Sequence, residues 1–102
     1  MPAQSKPAYV ISEVEILDEA RADIYRARAS ASIEKYGGRY IVRAAPVELI
    51  EGERNGRRRF VIVEFPSMAR AREWYDSPEY AEALEVRGGA LARTLTFVEG
   101  VG

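Results

Sequence analysis

The sequence predicts an α+β fold in which strand, helix, strand, strand, helix and strand follow in that order, a ferredoxin-like βαββαβ sandwich. Three observations carry this reading. Apolar, β-branched and aromatic residues gather in four short stretches, near 8–16, 39–45, 58–65 and 91–98. Between the first and second, and between the third and fourth, apolar residues recur at three- and four-residue spacing, the stripe of an amphipathic helix. The pairs Gly37-Gly38, Asn55-Gly56 and Gly88-Gly89 punctuate the series. Right-handed crossovers make a four-stranded antiparallel sheet with both helices on one face the simplest closed arrangement.

Met1 to Pro7, with Pro2, Ser5 and Pro7, reads as a flexible leader over 1–7, and 8–102 as one domain. Strand one takes in Tyr9, Val10, Ile11, Val14 and Ile16, with Glu13 and Glu15 alternating towards its end. Asp18 supplies a cap for the first helix, whose stripe is Ala22, Tyr25, Ala29, Ile33 and Tyr36, and Gly37-Gly38 ends it. Because much of that stripe is alanine, the helix is expected to lie close on its support and to gain stability from docking.

Arg39 to Ala45 forms strand two, interrupted by Pro46 and resuming at 47–50. Asn55-Gly56 signals a two-residue hairpin, since a type I′ turn needs positive φ at both central positions. That turn would set Ile50 opposite Val61 and Glu48 opposite Val63, leaving 39–44 beyond the end of strand three at 58–65. Ser67 caps the next helix, with Ala71, Trp74 and Tyr75 on its apolar side. It breaks at Asp76, and Ser77-Pro78 restarts it, with Tyr80 and Leu84 sharing a face. Gly88-Gly89 is expected to stop it. Leu91 to Val98 closes the fold as strand four, with Leu95 and Phe97 on one face and Thr94 and Thr96 on the other.

Composition narrows function by exclusion. The chain has 102 residues, with 15 basic against 16 acidic side chains, so no global positive field exists to hold a nucleic acid. Cysteine and histidine are both absent. Thiolate nucleophiles, disulfides and the commoner zinc sites are thereby removed, as are the usual acid/base near neutral pH and the usual haem ligand. The carboxylates show no metal-binding spacing, and neither a metal nor a cofactor is expected. No apolar run approaches the roughly 20 residues of a bilayer span, and the first residues lack the apolar segment of a signal peptide. A cytoplasmic protein is the expectation, with no membrane and no nucleic acid among its partners.

One partner is expected: a second copy. In Phe60-Val61-Ile62-Val63-Glu64-Phe65 both alternating sets are apolar, whereas a strand with one wet face alternates. The helix-free face of the sheet therefore needs cover, and sheet-on-sheet pairing of two chains supplies it.

The blocks Tyr36-Gly37-Gly38-Arg39-Tyr40, Glu51-Gly52, Val63-Glu64-Phe65-Pro66-Ser67, Trp74-Tyr75-Asp76-Ser77-Pro78-Glu79-Tyr80 and Val98-Glu99-Gly100 together resemble domain-of-unknown-function family 1330, of the dimeric α/β-barrel superfamily. The likeness runs from Tyr9 to Gly100. It implies the ferredoxin-like fold and pairing into a dimeric α/β barrel, and it implies no particular activity. Related barrels of that superfamily include cofactor-free monooxygenases, isomerases and haem enzymes, several of which use the histidine this chain lacks.

Glu64 is an acid near the end of an apolar strand. Burial would raise its pKa unless Arg39, Arg43 or Arg87 compensates, and a Glu–Arg pair lining a cavity can orient a polar ligand or act as a base. A structural ion pair explains the same residues without a ligand. Residues 36–40 can frame a cavity rim with Arg39 and Tyr40, while a helix cap followed by strand entry explains the glycines equally. Trp74, Tyr75 and Tyr80 can stack on an aromatic substrate or simply pack the core. Ser67 and Ser77 sit where capping hydroxyls belong and lack a nucleophile context. Arg54, Arg57, Arg58 and Arg59 are interleaved with Glu48, Glu51 and Glu53, the pattern of solvated charge.

The sequence thus points to a homodimer binding a small organic molecule in a cavity between sheet and partner, with cofactor-free catalysis within its scope. The ligand contacts expected are Glu64, Arg43, Arg39, Tyr40, Trp74 and Arg87. The alternative is a non-catalytic dimerisation or stress-related module whose interior is filled by side chains.

Overall fold

The structure is a computed structural model that describes residues 6–54 and 58–102. Its elements are β1 (Ala8–Ile16), α1 (Glu19–Lys35), β2 (Arg39–Ala45), β3 (Arg59–Phe65), α2 (Met68–Tyr75), α3 (Pro78–Ala90) and β4 (Leu91–Glu99). The strands form one antiparallel sheet in the order β2-β3-β1-β4, the ferredoxin-like α+β arrangement. Of the expected leader, Pro7 is tied in: its carbonyl accepts from the Gly100 amide at 2.7 Å.

Alternation along the strands sorts side chains between two faces. Ala8, Val10, Val63, Phe65 and Leu91 point to the helices and share one core with Ala22, Tyr25, Ala29, Ile33, Ala71, Trp74 and Tyr80. The opposite set, Tyr9, Ile11, Phe60, Ile62 and Val42, lies on the face without helices and outside that core.

Helix boundaries follow local chemistry. The Asp18, Ser67 and Ser77 side chains each accept from the backbone N–H three residues on, and Pro78 occupies the first turn of α3. At the end of α1 the Gly38 amide donates to Ile33 and the Gly37 amide to Glu34, a Schellman closure made feasible by the positive φ of Gly37.

Two expectations are corrected. Residues 47–50 are not strand, and β2 itself pairs with β3: Arg39 with Glu64, Tyr40 with Val63, Val42 with Ile62, Arg43 with Val61 and Ala45 with Phe60. The turn expected at Asn55-Gly56 lies outside the described residues. The register it implied would have set the Glu48 carboxylate beside buried Val63, whereas the observed one places Tyr40 there. Two irregularities, with Ala44 at positive φ, bring both Tyr40 and Arg43 to the helix side.

Second, α3 runs through Gly88-Gly89 to Ala90. The carbonyl of Ala90 accepts from the amides of Leu17 and Asp18, and a Cβ on Gly89 would stand 2.5 Å from the Arg21 guanidinium. Tertiary pairing outweighs the weak helix propensity of glycine.

The close support that the alanine stripe of α1 predicts is α3. Arg28 donates to the Glu82 carbonyl at 2.8 Å, and Lys35 meets Glu79 at 2.5 Å. A gap is left between α1 and the sheet.

Candidate functional site

That gap is a cavity of about 750 Å³. Its walls come from small and branched residues: Ala29 and Ile33 of α1 face Val10, Val14, Val63 and Leu95 of the sheet. Its mouth opens where β1 and β2 end and β3 begins, between exposed Glu15, Glu19, Arg43 and Arg59.

Besides the charged mouth and the Ser30–Tyr40 hydroxyl pair, two polar features interrupt the apolar lining. Ser12 sits at a helix-facing position of β1, 6% exposed, and its Oγ has no hydrogen-bond partner among the described residues. Arg93 sits at a helix-facing position of β4, in the series Leu91, Arg93, Leu95, Phe97, and pairs with Val14. Its Nη1 donates to the Tyr25 hydroxyl at 2.7 Å and its Nη2 to the Tyr80 hydroxyl at 2.5 Å. Those two hydroxyls are 2.6 Å apart. Burial pushes the Tyr25 hydroxyl far above its ordinary pKa, so it stays a proton donor at physiological pH.

The residues expected from sequence divide between the two faces. Arg43, Tyr40 and Trp74 line the cavity. The Arg43 guanidinium stacks 3.9 Å from the centre of the Tyr40 ring, whose hydroxyl lies 3.1 Å from Ser30 Oγ on α1. Trp74 is 2% exposed and donates from Nε1 to Ser32 Oγ at 2.9 Å. Its ring packs on Phe65 and Tyr80, so it serves the core as well as the cavity wall.

Glu64 and Arg39 are elsewhere. They form an ion pair at 2.7 Å on the helix-free face, with side chains 23% and 74% exposed. A hydrogen bond from the guanidinium, opposed by partial burial, holds the Glu64 carboxyl below its ordinary pKa. The pair borders a smaller depression of about 240 Å³ beside Pro7, Gly37 and Pro66. Arg87, half-buried on α3, lines neither space.

Ser12, Tyr25 and Arg93 were not singled out by sequence as site residues, although a signal existed. In Ala8, Val10, Ser12, Val14, Ile16 and in Leu91, Arg93, Leu95, Phe97, one polar residue breaks an apolar period of two. Among the described residues, no helix is long and apolar enough to cross a membrane.

Comparison with known proteins finds one family model and several solved structures of similar fold. A family model described as Domain of unknown function (DUF1330) matches residues 7–101. Among solved structures, RPA0582, a protein of unknown function from Rhodopseudomonas palustris, is similar at 21% identity with a TM-score of 0.75, over 96% of this chain and 85% of that one. Methylated RPA0582 gives 20% and 0.73, over 96% and 83%. SnoaB, a cofactor-independent oxygenase from Streptomyces nogalater, gives 12% and 0.64, over 92% of each chain. No curated protein matches.

Proposed function

The chain belongs to the DUF1330 family, and from the cavity beneath α1 we propose that it binds a small organic molecule there, apolar body against the sheet and polar end towards Ser12. One observation carries this reading: a space of about 750 Å³ with apolar walls contains a buried hydroxyl, Ser12 Oγ, that has no partner among the described residues. Leaving such a group unpaired costs about 1–3 kcal/mol, and a ligand that bonds it recovers part of that. An interior filled by side chains, as a module without a ligand would have, leaves no such space.

Arg43 and Tyr40 stand at the entrance in this reading and Trp74 bounds the apolar wall. The fold-level likeness to a cofactor-independent oxygenase supports a cavity that hosts chemistry without a bound cofactor. The test is a thermal-shift screen of phenols, quinones and small acids against the wild type and Val61→Phe, which fills the cavity. A ligand at one hundred times its Kd stabilises by about 2.7 kcal/mol. The expected result is stabilisation of the wild type that Val61→Phe loses, and no shift with any compound rejects the reading.

The helix-free face has a separate role. Tyr9, Ile11, Val42, Phe60 and Ile62 form an apolar surface there, edged by the Arg39–Glu64 pair, and its pairing with the same face of a second chain gives a homodimer. Sedimentation equilibrium should return twice the 11.4 kDa chain mass, and Ile62→Glu should return the single chain. A wild type that sediments as one chain at high concentration rejects the dimer.

A further inference from the structure

The polar groups inside the cavity, Ser12, Tyr25 and Arg93, all carry N–H or O–H donors, and its carboxylates, Glu15 and Glu19, stand at the mouth. We infer that the ligand of this cavity is a small organic carboxylate, its anionic end held by Arg93, Ser12 and Tyr25 and its apolar body lying between α1 and the sheet. The inference rests on the ligand-binding reading above and adds the chemical class.

The first ground is charge. Arg93 is half-buried, and no carboxylate lies within ion-pair distance of it among the described residues. Its observed partners are two neutral phenols, which orient the guanidinium without neutralising it. Around the cavity stand Arg26, Arg43, Arg59 and Arg93 against Glu15 and Glu19, an excess of positive charge in a chain whose net charge is −1. Arg26 is engaged with Asp23 and Glu19. The other three are not in ion pairs among the described residues.

The second ground is hydrogen-bond accounting. A guanidinium has five N–H donors, and two of those of Arg93 go to the tyrosines. The two tyrosine hydroxyls carry two protons; one fills the 2.6 Å bond between them, and the other has no acceptor among the described side chains. Tyr25 is the member of the pair that lines the cavity, so it is placed to donate that proton inward. Ser12 contributes a further hydroxyl without a partner among the described residues. Ser12 pairs with Leu95 and Val14 with Arg93, which sets Ser12 and Arg93 one diagonal step apart on the same face, roughly 7–8 Å between backbones and within reach of a long side chain.

The third ground is shape. A planar carboxylate accepts two parallel N–H bonds from a guanidinium and keeps lone pairs for hydroxyl donors. The apolar walls suit a hydrocarbon or aromatic body and give a free inorganic anion nothing to contact.

The experiment is calorimetric titration of the full chain with two matched pairs, phenylacetate against phenylacetamide and 2-naphthoate against 2-naphthamide. Each pair differs little in shape but differs in charge. The carboxylates are expected to bind at least about tenfold more tightly than their amides, the worth of a hydrogen bond to a charged group. Arg93→Gln should bring each carboxylate to the level of its amide. Ser12→Ala, which removes an unpaired buried hydroxyl and so keeps the fold, should weaken the carboxylates alone by about threefold to tenfold. A carboxylate-to-amide ratio near one in the wild type overturns the carboxylate inference while the cavity reading stands. Failure of all four compounds to bind, joined to an unresponsive thermal-shift screen, rejects both. Should Arg93→Gln fail to fold, the wild-type ratio and Ser12→Ala still decide.

Discussion

The hydroxyls of Tyr25 and Tyr80 meet at 2.6 Å with their rings edge to face at 76°, joining α1 to α3 beneath a single arginine of β4. The contact ties the helix layer to the sheet at the wall of the cavity, so its loss is felt by both. Tyr80→Phe leaves Arg93 with one phenolic partner and should cost about 1–2 kcal/mol in urea unfolding. Tyr25→Phe should cost a similar amount, and the double variant less than the sum, because each single change already breaks the shared bond.

Ser32 has two bonds in the core. Its hydroxyl donates to the Ala29 carbonyl at 2.7 Å and accepts from Trp74 Nε1 at 2.9 Å. Ser32→Ala strands the indole N–H in a place water does not reach, at a cost of about 1–3 kcal/mol. Trp74 fluorescence and the denaturation midpoint should shift together, and an unchanged midpoint would show that the indole has another acceptor.

Two glycines should respond with opposite signs to the same substitution. A Cβ on Gly38 would stand 2.7 Å from the Phe65 ring and 2.8 Å from Ile33 Cγ2, so Gly38→Ala overpacks the core and should cost about 1–3 kcal/mol. A Cβ on Gly88 meets open space inside α3, so Gly88→Ala should stabilise by about 0.5–1 kcal/mol through helix propensity. Paired thermal melts check both.

Glu79 joins the start of α3 to the end of α1. Hydrogen bonds from Lys35 and then from the Tyr36 hydroxyl lower its carboxyl to about 2. The unfolded chain holds this carboxyl near 4.5, so the folded state binds its proton less readily. The contribution to stability is therefore complete above about pH 5 and is lost as pH falls towards 2. Melting temperatures of the wild type and Glu79→Gln should differ at pH 6 and converge near pH 2. A gap that is constant with pH would assign the effect to packing.

The layers of the fold were legible because they rest on local rules. Asp18, Ser67 and Ser77 cap as their side-chain chemistry dictates, Pro78 begins a helix, and the period of two in β1 and β4 sorts their faces. What the sequence concealed was a choice among pairings. Asn55-Gly56 offered a register for β2 that burial of Tyr40 beside Val63 overrode, and Gly88-Gly89 offered a helix end that the bonds to the Ala90 carbonyl postponed. The alanines of α1 promised close packing without saying on what. They turned the helix towards α3, and the cavity opened on the other side. Glu64 is an acid in an apolar strand, and Arg39 beside it settles its charge locally. Of the cavity's arginines outside ion pairs among the described residues, Arg43 and Arg59 are exposed and Arg93 is half-buried.

The central claim is that the cavity beneath α1 takes up a small organic carboxylate, and the methyl groups of this chain test it directly. Isotope-labelled protein titrated with phenylacetate should show intermolecular nuclear Overhauser effects from the aromatic protons to methyls of Val10, Ile33, Val63 and Leu95, which line the cavity. The methyls of Ile11, Val42 and Ile62, across the sheet, should stay silent. Overhauser effects to Ile11, Val42 and Ile62, with the cavity methyls unmoved, would put the ligand on the helix-free face and contradict the account.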